Sequence, residues 1–332
     1  MMPPKNFTSQ NLLRYLSEIS DIFSSSISRR EAHLHAAPII LLMTKDVNVL
    51  RDVIRANLEI PEFLNRGNYP CPSMQIIRTP HFEFVANCWI SLPNGASDIS
   101  TKSLHHHGEM LLTTGTAFGP GYEHWQLEIC DRVNEEEALY KMKLIESAVH
   151  GLNNVSFVDR QVVHVPLYPE SLTITYALWS KAQSTSLFDR VKATSFVSKY
   201  RNGIKKVLRQ AGMNKALNSR YPEYLDFYPV EGGFKGIRHR SEVEFQLGPV
   251  VDHLQSIFHV IQKTGYEDMI DSIQTAISTR NTLAADDKRY ALQLLDKLRE
   301  GVPIEGKLTE KLHFGFPRAN FTRRQIQESL LM

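Results

Sequence analysis

The sequence predicts an α+β protein in which a core of β-strands lies between two helical regions. Hydrophobic residues recur every three or four positions in much of 1–73 and 181–332, the period of helices, and mostly alternate in 74–180, the period of strands. About eight predicted strands separated by turn residues occupy that middle segment. Such a run of short strands without intervening helices is typical of a sandwich, a jelly roll or a small barrel.

Length and composition place the chain among ordinary globular proteins with room for more than one domain. It has 332 residues, of which 42% are hydrophobic and 22% charged, with a net charge of +2. This balance excludes an acidic disordered chain and gives no indication of a nucleic-acid groove. The three cysteines form no CxxC pair, which favours a reducing, cytoplasmic location over a disulfide framework.

Two features of the sequence bear on targeting. No run of about 18 uncharged apolar residues is present, so we expect no membrane span. Residues 1–6 carry no apolar segment, so we expect no secretion signal.

The N-terminal region predicts amphipathic helices over 9–23 and 46–58. Between them, His33 and His35 form a His-x-His pair whose neighbours favour helix. Side chains two positions apart on a helix diverge, which argues against a metal site at this pair.

The middle and C-terminal regions follow in order. The predicted strands are 74–77, 82–92, 105–118, 122–129, 140–148, 155–158, 161–165 and 172–179. Predicted helices cover 188–211, 250–263, 266–278 and 284–300, with a short strand or glycine-rich loop over 226–236 and a last short helix after a basic tail at 316–324. Basic residues between 199 and 209 alternate with apolar ones, which is typical of a solvated helix face, so we expect no nucleic-acid partner.

The chemistry centres on three consecutive histidines followed by glycine and glutamate. In an extended strand, alternate side chains share a face, so His105, His107 and Glu109 are predicted on one side and His106 on the other. Two imidazoles on one strand face can hold a metal ion from two points. A mononuclear catalytic site usually takes three protein ligands, so a third must come from another strand.

Two histidines compete for that third position. His164 ends a predicted apolar strand just before a proline turn. If the chain turns at 119–121, His124 lies about 26 Å from His107 at about 3.3 Å per residue, whereas a turn at 114–115 would place it opposite His105. The glycines at 119 and 121 favour the first turn, so His164 is the preferred ligand and His124 the alternative.

The order of these features resembles the cupin superfamily, and within it the cysteine-dioxygenase-like, three-histidine branch. The resemblance covers residues 74–180 and implies a double-stranded β-helix, a jelly-roll barrel. It implies that His105 and His107 are the first-motif pair and His164 the second-motif histidine, and that they bind ferrous iron, which activates dioxygen toward a bound small molecule. In a common cupin three or four residues separate the pair from its glutamate, whereas here only Gly108 does.

Further candidates complete the predicted site. Glu109, as a proton acceptor or a partner of an imidazole, and Tyr176 are the candidate catalytic residues, and Arg78, Tyr122 and Arg160 are candidates for binding substrate. The helical C-terminal region is a candidate lid or homodimer surface.

The resulting hypothesis is a non-haem Fe(II) oxygenase that acts on a small polar metabolite, such as an amino acid or a related amine or thiol, with dioxygen. One alternative is a non-oxidative isomerase or lyase using zinc, manganese or nickel. The other is a ligand-binding or scaffold protein without catalysis. No membrane partner is expected.

Overall fold

A computed structural model describes residues 7–65, 71–101, 103–134, 136–181, 226–237, 249–265, 269–279, 283–308 and 321–330. Within these ranges the protein has a mixed α+β architecture in which the strands form two sheets. The helices predicted over 188–211, with their basic residues, lie outside the described ranges.

The helices of the described chain agree with most of the predicted ones. They are α1 (Gln10–Ser25), α2 (Arg29–Lys45), α3 (Val47–Leu58), α4 (Val250–Thr264), α5 (Ile270–Thr279), α6 (Ala285–Arg299) and α7 (Arg323–Leu330). Helix α1 begins after Ser9, whose hydroxyl oxygen accepts a hydrogen bond from the backbone N–H of Leu12. Such a cap satisfies one of the N–H groups that a helix start leaves unpaired.

Eleven strands are found in the described residues. They are β1 (Ser73–Arg78), β2 (Glu83–Trp89), β3 (Leu104–His105), β4 (Met110–Phe118), β5 (Tyr122–Asn134), β6 (Leu139–His150), β7 (Val155–Val158), β8 (Val163–Pro166), β9 (Thr173–Lys181), β10 (Asp226–Val230) and β11 (Gly233–Ile237). All the paired strands run antiparallel.

The first sheet has the strand order β1-β2-β9-β4-β7 and carries the helices on one face. Phe84, Ile174 and Leu178 on that face belong to one hydrophobic core with residues of α1 to α6. Helix α2 approaches Gly115 of β4 so closely that a Cβ added there would lie 2.8 Å from a side-chain carbon of Ile40. The opposite face of this sheet is therefore left to meet the second sheet.

The second sheet closes into a barrel with the order β10-β11-β6-β5-β8-β3. One face carries its own apolar cluster, in which Trp125, Val163 and Phe227 pack with Ile326 of α7. The hairpin of β10 and β11 extends the β core beyond residue 180, where the sequence places its end.

The predicted strand over 105–118 is interrupted, and this prediction was wrong between His106 and Glu109. Gly108 adopts a left-handed backbone conformation with φ of 61°, and the N–H of Met110 donates to the carbonyl of His107 at 3.1 Å. The resulting turn passes the chain from β3 in the second sheet to β4 in the first. Glycine enters this conformation without the steric cost that a side chain imposes.

His33 of α2 is a core residue that ties the helix to the first sheet. Its two ring nitrogens lie 2.7 Å from the Thr113 hydroxyl and 2.9 Å from the Ser180 hydroxyl, and the residue is fully buried. Burial, aided by the charge of Arg29, lowers the pKa of His33 to about 3. The imidazole is therefore neutral at pH 7, and its hydrogen-bonding capacity is used within the core.

This burial predicts a specific acid sensitivity. Because the unfolded chain takes up a proton at His33 near pH 6.5 and the folded chain only near pH 3, the free energy of unfolding falls as pH decreases between these values, by about 1.4 kcal/mol per pH unit from this residue. Glutamine does not titrate, so in His33→Gln the free energy of unfolding should fall less between pH 7 and 4.5 than in wild type, by about 2 to 3 kcal/mol. Urea unfolding at both pH values measures this free energy. An equal decrease in wild type and His33→Gln would contradict the lowered pKa of His33.

Candidate metal centre

Three histidines from two adjacent strands and the following turn meet at one end of the second sheet. His105 in β3 and His164 in β8 are direct cross-strand partners. His107 follows in the turn, and the ring centroids are 4.3 Å apart for His105 and His164 and 4.7 Å for each pair that includes His107. One nitrogen from each ring lies within 4.8 Å of the others. Of the preferred and alternative ligand sets, the structure assembles the preferred one.

The backbone fixes which nitrogen two of these rings present. Nδ1 of His105 lies 2.9 Å from the carbonyl oxygen of Ser103, and Nδ1 of His164 lies 3.1 Å from that of Val162. A carbonyl oxygen can only accept, so each Nδ1 donates its hydrogen and each Nε2 keeps its lone pair. Metal-binding histidines are commonly oriented in this way, through a hydrogen bond from the nitrogen that does not bind the ion.

The donor set fits a divalent transition-metal ion. Nitrogens that each bind an ion at about 2.1 Å can be no more than about 4.2 Å apart, so a small inward rotation of the side chains suffices. Imidazole suits zinc, copper, iron and nickel. His105 and His164 are buried while His107 is partly exposed, so the group is approached from the His107 side.

His106 lies on the other side of the backbone, as predicted. Its Nδ1 accepts a hydrogen bond from the N–H of Gly108 at 3.0 Å, and its ring lies 6.0 Å from that of Phe227, in the apolar cluster. The residue therefore shapes the turn and does not contribute to the three-histidine group.

Glu109 does not share the histidine face, because the turn at Gly108 breaks the strand alternation on which that expectation rested. Its side chain is 54% exposed and lies 3.4 Å from the guanidinium of Arg160. It also accepts a hydrogen bond from the side-chain amide of Gln161. Glu109 and Arg160 thus form an exposed ion pair beside the histidine turn.

Tyr176 lies on the helical side of the first sheet, not with the histidines. It is fully buried in the core shared with the helices, and its ring lies 6.1 Å from that of Phe84. Its neighbour Thr175 faces the other way, and the Thr175 hydroxyl accepts a hydrogen bond from the indole N–H of Trp89. The position of Tyr176 therefore does not support the predicted catalytic contact.

The two remaining predicted residues differ in position. Arg78 is exposed at the end of β1 and lies 3.8 Å from the carboxylate of Glu83. Tyr122 is buried beside two histidines, with its ring 5.5 Å from His150 and 6.3 Å from His124. Burial raises the pKa of the Tyr122 hydroxyl well above its usual range.

The sequence-based separation of His124 from the site was wrong. It assumed that β4 and β5 pair, whereas they belong to different sheets and β5 pairs with β8. The rings of His124 and His164 are consequently 5.3 Å apart. His150 was not singled out, because a histidine at the end of an irregular strand before Gly151 gives no motif; its ring lies 4.5 Å from that of His124.

Trp179 on β9 is a further neighbour of the site. Its ring meets that of His107 edge-on, at 4.4 Å between centroids and 88° between planes. This contact brings the first sheet beside His107.

Comparisons with known proteins add little to this geometry. No family model and no curated protein matches the chain. Solved structures similar to it include the cupin domain of Cnp3 from Schizosaccharomyces pombe, with 8% identity over 39% of this chain and 77% of that one and a TM-score of 0.26. KdgF from Halomonas sp. has 11% identity over 35% of this chain and 82% of that one, with a TM-score of 0.22.

An RmlC-like cupin from Shewanella frigidimarina is similar at the same level, with 11% identity over 35% of this chain and 81% of that one and a TM-score of 0.22. Scores of this size establish no family. Among the helices of the described ranges, none combines the length and the apolar character that crossing a membrane requires.

The contact between Trp179 and His107 predicts an optical signal. Paramagnetic ions quench the fluorescence of a nearby indole, so titration with Co(II) should quench the emission of Trp179. Because the chain has three tryptophans, the total fluorescence should fall by up to roughly a third. The saturable quenching should disappear in Trp179→Phe and persist in Trp125→Phe, whose indole faces the other cluster. Quenching that survives in Trp179→Phe would place the ion elsewhere.

Proposed function

We propose that the protein is a cupin-like, metal-dependent enzyme in which His105, His107 and His164 hold one divalent ion. The observation that carries this proposal is the convergence of their three ring nitrogens within 4.8 Å. The Nδ1 hydrogen bonds of His105 and His164 support it, because they direct Nε2 lone pairs toward a shared point. The two antiparallel sheets around the site are consistent with a double-stranded β-helix.

The charge of this donor set points to the chemistry. Three neutral imidazoles leave a divalent ion with its full charge, which favours an anionic group of the substrate directly at the ion. As the finer part of the proposal, the ion is ferrous iron, which when bound would activate dioxygen so that it oxidises an organic substrate held at the same site. The substrate class is a small polar metabolite with an anionic group, such as an amino acid or a related thiol.

The residues around the ion have separate proposed tasks. The buried residues His105 and His164 hold the ion together with the partly exposed His107, and Trp179 packs against the His107 ring and limits its movement. Arg160 lies exposed beside the turn and attracts an anionic substrate toward the opening, while Glu109 orients Arg160 through their ion pair. Tyr122 lies farther from the ion, with its ring beside those of His124 and His150.

The same ligand set also suits a non-oxidative reaction. Imidazole nitrogens bind zinc and nickel as readily as iron, and such ions act as Lewis acids in isomerases and lyases. This second candidate shares every protein residue with the first and differs only in its need for dioxygen.

Metal content tests the centre itself. Protein purified without an affinity tag and loaded anaerobically with Fe(II) should hold about one ion per chain, and His164→Ala should lose it, since two imidazoles rarely retain an ion at micromolar concentration. His35→Ala is the matched control, because it removes an exposed histidine of α2 that takes no part in the turn or the three-histidine group. Elemental analysis measures all three, and equal content in wild type and His164→Ala would reject the centre.

Dioxygen dependence separates the two reactions. The iron-loaded protein should consume dioxygen when supplied with its substrate from a panel of amino acids and thiols. Turnover that is unchanged without dioxygen would favour the isomerase or lyase reaction. Metal binding without turnover of any compound under either condition would leave a ligand-binding protein as the function.

Glu109→Gln tests whether this carboxylate is a ligand. Because the side chain is exposed and paired with Arg160, we expect metal affinity to change less than twofold, whereas loss of a true ligand typically costs far more. Competition with a chromogenic chelator measures the affinity. A decrease of tenfold or more would show that Glu109 reaches the ion.

A further inference from the structure

A row of buried polar rings continues from the metal centre along one face of the second sheet. His164 on β8 is 5.3 Å from His124 on β5, and His124 is 4.5 Å from His150 on β6. Tyr122, directly opposite His150 in the register of β5 and β6, closes the row. The other face of these strands carries the apolar cluster with Trp125, so the row lies on the side that meets the first sheet.

His150 is the unusual member of this row. The residue is 4% exposed, and neither of its ring nitrogens has a hydrogen-bond partner in the described part of the chain. A buried polar group without a partner is destabilising, and native proteins keep few of them. Burial lowers the pKa of His150 to about 4, so at neutral pH the ring offers one N–H donor and one accepting nitrogen.

Two pairs of polar side chains near His150 connect the sheets through hydrogen bonds. Tyr122 shares a side-chain hydrogen bond with Thr114 of the first sheet. The indole N–H of Trp89 donates to the Thr175 hydroxyl at 2.9 Å, and the Trp89 ring lies 5.5 Å from Tyr122. Neither pair involves a ring nitrogen of His150, so both nitrogens are available to a bound molecule.

We infer that His150 is a substrate-recognition residue, and that the substrate has an anionic group at the metal and a neutral hydroxyl group at His150. The inference rests on the proposed metal centre. A hydroxyl group both donates and accepts one hydrogen bond, as does a neutral imidazole, so one hydroxyl can engage either nitrogen of His150. A second charged group would meet an uncharged partner in a buried position, which is unfavourable. The substrate class is therefore a small hydroxy acid.

Matched pairs of carboxylates test this inference. The Co(II)-loaded protein is titrated with propionate and 3-hydroxypropionate, butyrate and 4-hydroxybutyrate, and pentanoate and 5-hydroxypentanoate, and the visible absorption of Co(II) reports each Kd. At least one hydroxy acid should bind about tenfold more tightly than the carboxylate of the same length that lacks the hydroxyl. This is the effect of one well-formed hydrogen bond that does not replace an equally good hydrogen bond to water. Across the pairs, the spacing between carboxylate and hydroxyl varies, so the preferred pair measures the separation of the two sites.

Variants assign the preference to His150. His150→Phe should keep the Co(II) spectrum and lose the preference, and His150→Gln, which still donates and accepts, should keep part of it. Val149→Ala is the matched control, since Val149 is the adjacent residue on β6 and is 62% exposed. Should His150→Phe not fold, His150→Ala replaces it.

Two results would overturn the inference while leaving the metal centre intact: no preference in any pair, or a preference that survives in His150→Phe. Either would mean that His150 is a structural residue whose nitrogens meet only water. Failure of the metal centre is seen separately, as the absence of a Co(II) spectrum in wild type or an unchanged spectrum in His164→Ala.

Discussion

The candidate site depends on the pairing of two short strands, β3 and β8, which sets His105 directly opposite His164. Neighbouring strands lie about 4.8 Å apart, so this register brings two imidazoles close to the separation that one ion requires. Both rings donate Nδ1–H to the carbonyl two residues earlier in the chain, just before the strand begins. Because the rings are held by local backbone, their orientation follows from the register and needs no distant side chain.

The third histidine depends on the turn that leaves β3. At Gly108 the chain turns toward the first sheet, and His107 stays beside His105 while Glu109 is directed to the surface. The turn is held from two sides, since the N–H of Gln161 donates to the carbonyl of Gly108 at 3.0 Å and Trp179 packs against His107. The open side of the histidine group is thus formed where the two sheets meet.

The sequence predicted most of the fold and the grouping of the three histidines, and its errors concern features that hydrophobic periodicity does not report. Periodicity reports which residues of one strand share a face, so it located the strands, the helices and the opposed faces of His105 and His106. It contains no information on which strands pair. The distance to His124 was wrong because β5 pairs with β8, and the place of Glu109 was wrong because Gly108 ends the alternation. Tyr176 faces the helices, and no pattern in its own strand specifies which face they cover.

The hairpin of β10 and β11 links the centre to the chain beyond residue 181. Asp226 of β10 pairs with His105 across the sheet, and its carboxylate accepts a hydrogen bond of 2.6 Å from the Ser103 hydroxyl. The carbonyl of the same serine accepts the Nδ1–H of His105. Asp226 thereby holds Ser103, the residue whose carbonyl orients the His105 ring. Since the three proposed ligands are neutral imidazoles, they would leave the full charge of a bound divalent ion, which is why an anionic substrate group is expected there.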